Sequence, residues 1–456
     1  MFVPMSFDVQ LAMAVCAAIG AVLRRRPNML IMSANHIIVL RAFQNLEAHG
    51  QPSAYFYLPE WLFAPQLLAS ASEIVAVPSI LLLLGAWVPF SLPARTEPLV
   101  RVPPAALWVV AAYFTFLFFS TRTVFQTRYA SSDQVVFGAS AGGGIYVLAW
   151  ALVLFELRRR VDAAELTPSR ALMTVLAMVT LLDFIKGSTG LASGILLTAG
   201  FLVFIPGLLN EGRHDGSPPP SVKKILRAGG LAMVLLGAVA ASVMFVRIVR
   251  TSVASEGFGA AASAAVDQMV ALAEGGSDEG LEAAANGTQG AAHILMCVAL
   301  YDNGVSREWR SIWGPIEYTF KPSVLLRPLG LERSKEAAWE LGDYFIHGGG
   351  INTFGEFYWN GGWFCLIVMS IVTIGFLWMV DVKARTSWFW LALACAIAPG
   401  LVQGYGYGFA QVFRGVANGL VFLVPFIAYL RWVEERNRQP GLAMIRSDRS
   451  PRPLVR

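Results

Sequence analysis

The sequence predicts an all-α fold: a polytopic membrane helical bundle of about ten or eleven transmembrane helices with one large, mainly helical loop on the non-cytoplasmic side. Three observations predict it. First, 56% of the 456 residues are hydrophobic and only 14% are charged, where a soluble domain carries about 25%; the mean hydropathy is +0.57. Second, the apolar residues gather into uninterrupted blocks. A soluble core does not need this, but a helix crossing a bilayer does, at about 20 residues per crossing. Third, the basic residues collect between alternate blocks, as topology requires.

The blocks lie near 8–23, 66–90, 104–121, 134–156, 171–185, 191–209, 228–246, 362–381, 387–403 and 416–432, with a weaker, shorter one at 28–42. The first alone could be a cleaved signal, but similar blocks recur to the end of the chain. Placing the arginine-rich tail (Arg436, Arg438, Arg446, Arg449, Arg452, Arg456) in the cytoplasm also puts 382–386, 210–227, 157–170, 91–103 and Arg24–Arg26 inside. The chain thus divides into N-terminal transmembrane helices (1–246), a large outer loop (247–360), C-terminal transmembrane helices (361–432) and a basic cytoplasmic tail (433–456). The net charge of +5 is mostly a topology signal, with the inside cations acting as solvated anchors near lipid headgroups. Nucleic acid is therefore not an expected partner; membrane lipids are. Cys16, Cys297, Cys365 and Cys395 show no metal spacing, so neither a metal site nor a disulfide framework is expected.

Arg41, Arg122, Arg128, Lys186, Arg247, Arg250, Arg307, Arg310, Lys321, Arg327, Arg333, Lys335 and Arg414 fall on the outer side, against the inside rule. Ionisable groups near that boundary are functional candidates. Within the large loop, 251–306 holds seven acidic residues and no Lys or Arg, whereas 307–335 holds six basic against three acidic. The first half reads as alanine-rich amphipathic helices around 258–275 and 281–300. The second, with Trp309, Trp313, Tyr318 and three prolines, reads as irregular structure with aromatic anchors. A basic, aromatic segment beside a membrane suits a lipid-linked phosphate and a sugar; a cap lying on the headgroups is the alternative.

The stretch HGGGINTFGEFYWNGGW, 347–363, precedes the helix at 362–381. Its glycines allow close backbone approach to a ligand and set Glu356 at the water–membrane boundary, with His347, Asn352, Tyr358 and Asn360 as the other polar groups. A carboxylate shielded by aromatics can serve as a general base; the structural alternative is a carboxylate capping a helix or pairing with an arginine. Two smaller constellations share the outer side. LLDFIKGSTGLASG, 181–194, sets Lys186 beside a helix start, which favours anions. QGYGYGFAQVFRGVANG, 403–419, sets Arg414 at the outer start of the last helix. A lone lysine in a hairpin is usually a snorkelling end residue; the convergence of these groups on one side carries the signal.

Over about residues 170–432 this order of features resembles the bacterial oligosaccharide repeat-unit polymerases, the Wzy-type O-antigen and exopolysaccharide polymerases, which are related in architecture to O-antigen ligases. K-G-S-T-G at 186–190 is similar to the family's G-S-R-G element; Lys186 stands near its arginine, keeping the charge but not the bidentate fork. Arg247 or Arg250 resembles the arginine after the next helix. Residues 314–328, ending near Arg327, are loosely similar to its Pro-Arg-rich segment, and G-E-F-Y-W-N-G-G-W at 355–363 is similar to its G-E-x-Y-x-N-x-G element.

The resemblance implies transfer of a growing glycan from one undecaprenyl-diphosphate carrier to a repeat unit on another, at the periplasmic face of the bacterial inner membrane. It implies no cofactor, and it implies partnership with a chain-length regulator and a flippase. Lys186, Arg247, Arg250, Arg327 and Arg414 would bind the diphosphate, Tyr358 and Asn360 the substrate, and Glu356 or His347 would take the acceptor proton. An O-antigen ligase is the nearest rival, and a polysaccharide or lipid transporter the rival from another class. The transporter reading predicts broken helices and ionisable groups near the bilayer midplane.

Overall fold

The computed structural model describes residues 5–50, 58–89, 258–273, 286–307, 337–345, 350–384 and 424–438, most of 152–177, and scattered positions at 103–112, 230 and 387–409. Among the described residues all regular structure is helical, with no strand. The elements are α1 (Phe7–Leu23), α2 (Pro27–His49), a 3-10 turn (Glu60–Phe63), α3 (Pro65–Trp87), α4 (Phe258–Ala273), α5 (Asn286–Asp302), α6 (Ala337–Leu341), α7 (Thr353–Lys383) and α8 (Val424–Arg438). Two of them, α3 and α7, are long and apolar enough to cross a membrane. Most of the sequence blocks between 104 and 246, and most of those after 387, lie outside the described residues.

Helices α1, α2, α3, α5 and α7 pack together. Local chemistry fixes where each begins. Ser6 caps α1 by accepting from the Val9 N–H, and Pro27 and Pro65 open α2 and α3, where a missing N–H costs nothing and φ is preset. Between α1 and α3 the Gln10 amide donates to the Ser72 carbonyl at 2.9 Å, and the Trp87 indole donates to the Cys16 carbonyl at 3.0 Å. Phe7 stacks on Phe43 with ring centroids 4.9 Å apart.

The weak block at 28–42 is a full helix of 23 residues. Its hydropathy is low because it buries polar groups, each paired inside the bundle. Asn28 pairs with Asp381, the Ser33 hydroxyl donates to the Met29 carbonyl, and His36 bonds Ser79 of α3 at 2.7 Å. The helix expected at 281–300 is also present, as α5, but it is not amphipathic. Every residue from 290 to 300 is buried, against α2, α3 and α7. The segment is apolar but only about three turns long, which is short of a bilayer span.

At one end of the bundle two helix termini are closed by distant charges. Asp381 accepts from the backbone N–H groups of Asn28 (3.2 Å) and Met29 (2.9 Å) and from the Asn28 amide (2.7 Å), satisfying the orphan donors of α2 with a negative charge where the helix dipole favours it. Arg26 donates to the carbonyls of Gly85, Ala86 (3.1 Å) and Val88 (2.7 Å), the C-terminal acceptors of α3, and lies over the Trp378 ring. At 3% exposure, Arg26 is a buried helix cap and not the solvated anchor expected of it. The same contacts bring the segments following Arg24, Trp87 and Val380 to one end. These flank three of the basic loops that charge patterning assigns to one side.

Candidate functional site around Glu356

From Thr353 onward the Gly-rich stretch forms the first turns of α7. Asn352 starts the helix, its side-chain oxygen accepting from the Phe354 (2.9 Å) and Gly355 (3.3 Å) N–H groups. After residues 353–360 the helix breaks at Gly361 and Gly362. Gly362 has φ +60°, and a Cβ there would collide with the Tyr301 ring; no other residue type meets both demands. The break leaves the carbonyls of the preceding turn without helical partners. A strap following α5 takes them up: the Arg307 N–H donates to the Trp359 carbonyl at 3.1 Å and the Ser306 hydroxyl to the Asn360 carbonyl at 3.1 Å. The Trp359 indole returns a bond to the Val305 carbonyl at 2.8 Å.

The half-helix 353–360 starts deep in the bundle. The Phe354 ring lies 6.1 Å, edge to face, from that of His36. His36 and its partner Ser79 stand near the midpoints of α2 and α3, about 14 Å from the Arg26 end at 1.5 Å per residue. Glu356 rises from this depth and is 4% exposed, so it is buried and does not sit open at the water boundary.

Each carboxylate oxygen of Glu356 has a partner. Oε1 faces Arg307 Nη1 at 3.4 Å, and Oε2 accepts the Phe409 N–H at 2.9 Å. Gly408, at φ +86°, makes that approach possible: a Cβ on it would stand 2.8 Å from Oε2. Arg307 is itself shared. Its Nε donates to Glu340 of α6 at 2.9 Å, and its guanidinium lies 5.4 Å from the centre of the Trp359 ring, a cation–π contact that fixes its plane. Arg307 divides its guanidinium between two carboxylates. The pairing with an arginine, given above as the structural alternative for Glu356, is thus the arrangement found.

The other predicted site residues divide in two. Tyr358 donates its hydroxyl to Asp302 at 3.0 Å beside the ring of Tyr301, and Asn360 donates its amide to the Glu356 carbonyl at 2.6 Å. Both are engaged within the protein, Asn360 fully buried. His347, Lys186, Arg247, Arg250, Arg327 and Arg414 lie outside the described residues.

Among the described residues, the cation that meets Glu356 is Arg307, present in the sequence reading only as one of thirteen outer charges. One available signal was its position, as the first basic residue after a long stretch without any. Glu340, Asp302 and the Gly408–Phe409 backbone carried no comparable signal. What the arrangement offers chemically is a buried, doubly hydrogen-bonded carboxylate that can exchange a proton, beside a guanidinium able to hold an anion. Compared with family models, with curated proteins and with solved structures, the chain matches none.

Proposed function

We propose that the chain is a multi-pass inner-membrane glycosyltransferase that polymerises undecaprenyl-diphosphate-linked oligosaccharide repeat units at the periplasmic face. The observation that carries this reading is the buried Glu356 carboxylate, paired with Arg307 inside the G-E-F-Y-W-N-G-G element. Three features support it. The outward faces of α1 and α7 are apolar, with Ile19, Leu23, Phe364, Ile371 and Val372 exposed, as lipid contact requires. The described segments that lead into three basic stretches, at Arg26, Val88 and Asp381, meet at one end of the bundle. Glu356 and Asp381 lie on opposite sides of the Gly361–Gly362 break in α7, and charge patterning makes the Asp381 end cytoplasmic.

In the proposed reaction an acceptor sugar hydroxyl attacks the anomeric carbon of the donor glycan. The new C–O bond forms as the bond to the diphosphate oxygen breaks, the hydroxyl proton passes to Glu356, and undecaprenyl diphosphate leaves. One direct displacement inverts the anomeric centre. Lys186, Arg247 or Arg250, Arg327 and Arg414 are the proposed cations for the leaving group, and His347 is the second candidate for the base. A chain-length regulator and a flippase are the proposed partners.

Replacing Glu356 with Gln keeps an acceptor for the Phe409 N–H and removes the base. Chain extension should fall by about a hundredfold or more, seen as loss of the polymer ladder on a gel, while the protein still accumulates in the membrane. A normal ladder from this variant rules Glu356 out as the base.

One observation favours a second reading, transport: a helix broken at Gly361–Gly362, whose short half starts at mid-depth, is a device transporters use. Purified protein in liposomes decides between the two. Lengthening of lipid-linked units in the absence of other proteins supports the polymerase; movement across the bilayer without lengthening supports the transporter.

A further inference from the structure

We propose that Glu73, Asp302, Tyr301, Tyr358 and Trp363 form a binding site for a neutral sugar of the glycan, on the face of the broken helix turned away from Glu356. Glu73 is the residue that needs an account. It lies within α3 (Pro65–Trp87), about 12 Å from the Pro65 end at 1.5 Å per residue, in a helix long and apolar enough to cross a membrane. It falls on the outward stripe of that helix, in line with the exposed Gln66, Ala69 and Leu84, and is itself half-buried. Among the described residues Glu73 has no hydrogen-bond or ion-pair partner. A carboxylate at such a depth is costly to hold and marks a functional position.

Neighbouring side chains set what Glu73 can bind. Ile374 of α7 packs on Gly85 of α3, and the two helices run in contact. Counted back from that point, Glu73 stands about 18 Å and Trp363 about 17 Å along their helices, so the two are level. The charge of Glu73 reaches the Tyr358 hydroxyl, which donates to Asp302 at 3.0 Å. The Tyr358 ring lies between two others, 4.8 Å from Tyr301 and 6.0 Å from Trp363. Tyr301 and Trp363 are half-buried and Asp302 is exposed, so the cluster is not sealed. Carboxylates beside aromatic rings suit a pyranose, whose hydroxyls donate to the oxygens while its C–H faces lie on the electron-rich ring faces. The same two negative charges repel a diphosphate. Glu356 and Tyr358 stand about 200° apart around the half-helix, so a sugar held here is a neighbour of the reacting sugar and not the reacting one.

The proposal deepens the polymerase reading and rests on it only for which glycan is bound. The test uses the full-length protein in nanodiscs, with oligosaccharides released by mild acid from the producing cell's own surface polysaccharide as the probe. Dicyclohexylcarbodiimide should label Glu73 in the native chain, read by peptide mass spectrometry. Oligosaccharide at about ten times its Kd should slow that labelling about tenfold; this readout needs no variant to fold. Glu73→Ala should bind the oligosaccharides at least about tenfold more weakly than the native chain. An unlabelled Glu73, labelling unaffected by the oligosaccharides, or full binding by Glu73→Ala would overturn the proposal. Protection by tetramethylammonium in place of the oligosaccharides would overturn it too, by making the cluster a cation site. The two readings fail separately. Protection at Glu73 with a normal polymer ladder from Glu356→Gln keeps the sugar site and removes Glu356 as the base; a lost ladder without protection at Glu73 removes the sugar site alone.

Discussion

The two ends of α7 each bury a carboxylate, and they treat it differently. Asp381 receives its hydrogen bonds from the start of α2, two of them from backbone N–H groups that have no other route to satisfaction. Glu356 receives one backbone bond from the Gly408–Phe409 segment and shares a guanidinium with a second carboxylate. The first arrangement is a fixed part of helix termination. The second depends on side chains that can exchange partners, which is what a site that binds and releases ligands requires.

Substitution separates the two ends by stability. Asp381→Ala orphans two buried backbone donors and the Asn28 amide, and should cost about 3 kcal/mol, read as a fall in the unfolding midpoint of the detergent-solubilised protein. Glu356→Gln should cost about 1 kcal/mol in the same assay, because Arg307 keeps Glu340 and Phe409 keeps an acceptor. Equal losses would erase the distinction between the ends. Gly362→Ala should cost about 2 kcal/mol through its left-handed backbone and the Tyr301 ring, and it should reduce chain extension more than Asp381→Asn does, since it displaces the turn carrying Glu356. Asn352→Ala removes the cap of the half-helix at a cost of about 1 kcal/mol, measured likewise.

The smallest effect belongs to a third setting, away from both ends. Hydrogen bonding from the Arg159 guanidinium holds the Glu165 carboxyl below its ordinary value of 4.5. That group is exposed, and its contribution is present above its ordinary value and lost as pH falls through the folded, lowered one. Glu165→Gln should therefore lower stability slightly at neutral pH and leave strongly acid pH unchanged, which flattens the acid side of the stability–pH curve; a loss at neutral pH as large as that from Asp381→Ala would show that exposed carboxylates matter as much as the buried pair.

The sequence reading recovered helices wherever apolar periodicity or length was decisive, as in α1, α3 and the long part of α7. It undervalued α2 because Asn28, Ser33 and His36 lower its hydropathy, and their partners come from other helices. It found α5 but set it in a surface loop, since a run of Ala, Met, Cys and Val shorter than a bilayer span resembles an amphipathic segment until its neighbours are known. It began the helix at 362, after the glycines of 347–362, whereas Asn352 caps it and the helix starts at Thr353. Glu356 was legible from its glycine and aromatic setting. Arg307 was not legible as its partner, because they lie 49 residues apart and nothing local couples them.

The tie between Asp381 and the start of α2 spans 353 residues of chain. At about 5–20 residues per second of synthesis, the ribosome needs on the order of half a minute or more to deliver the acceptor that the Asn28 and Met29 amides require. During that interval the first turn of α2 stands unfinished, and water or another partner must satisfy its donors. Biogenesis of this protein therefore ends with its seam: nascent chains that stop before residue 381 should leave α2 exposed to quality-control proteases even though α1, α2 and α3 have all been made.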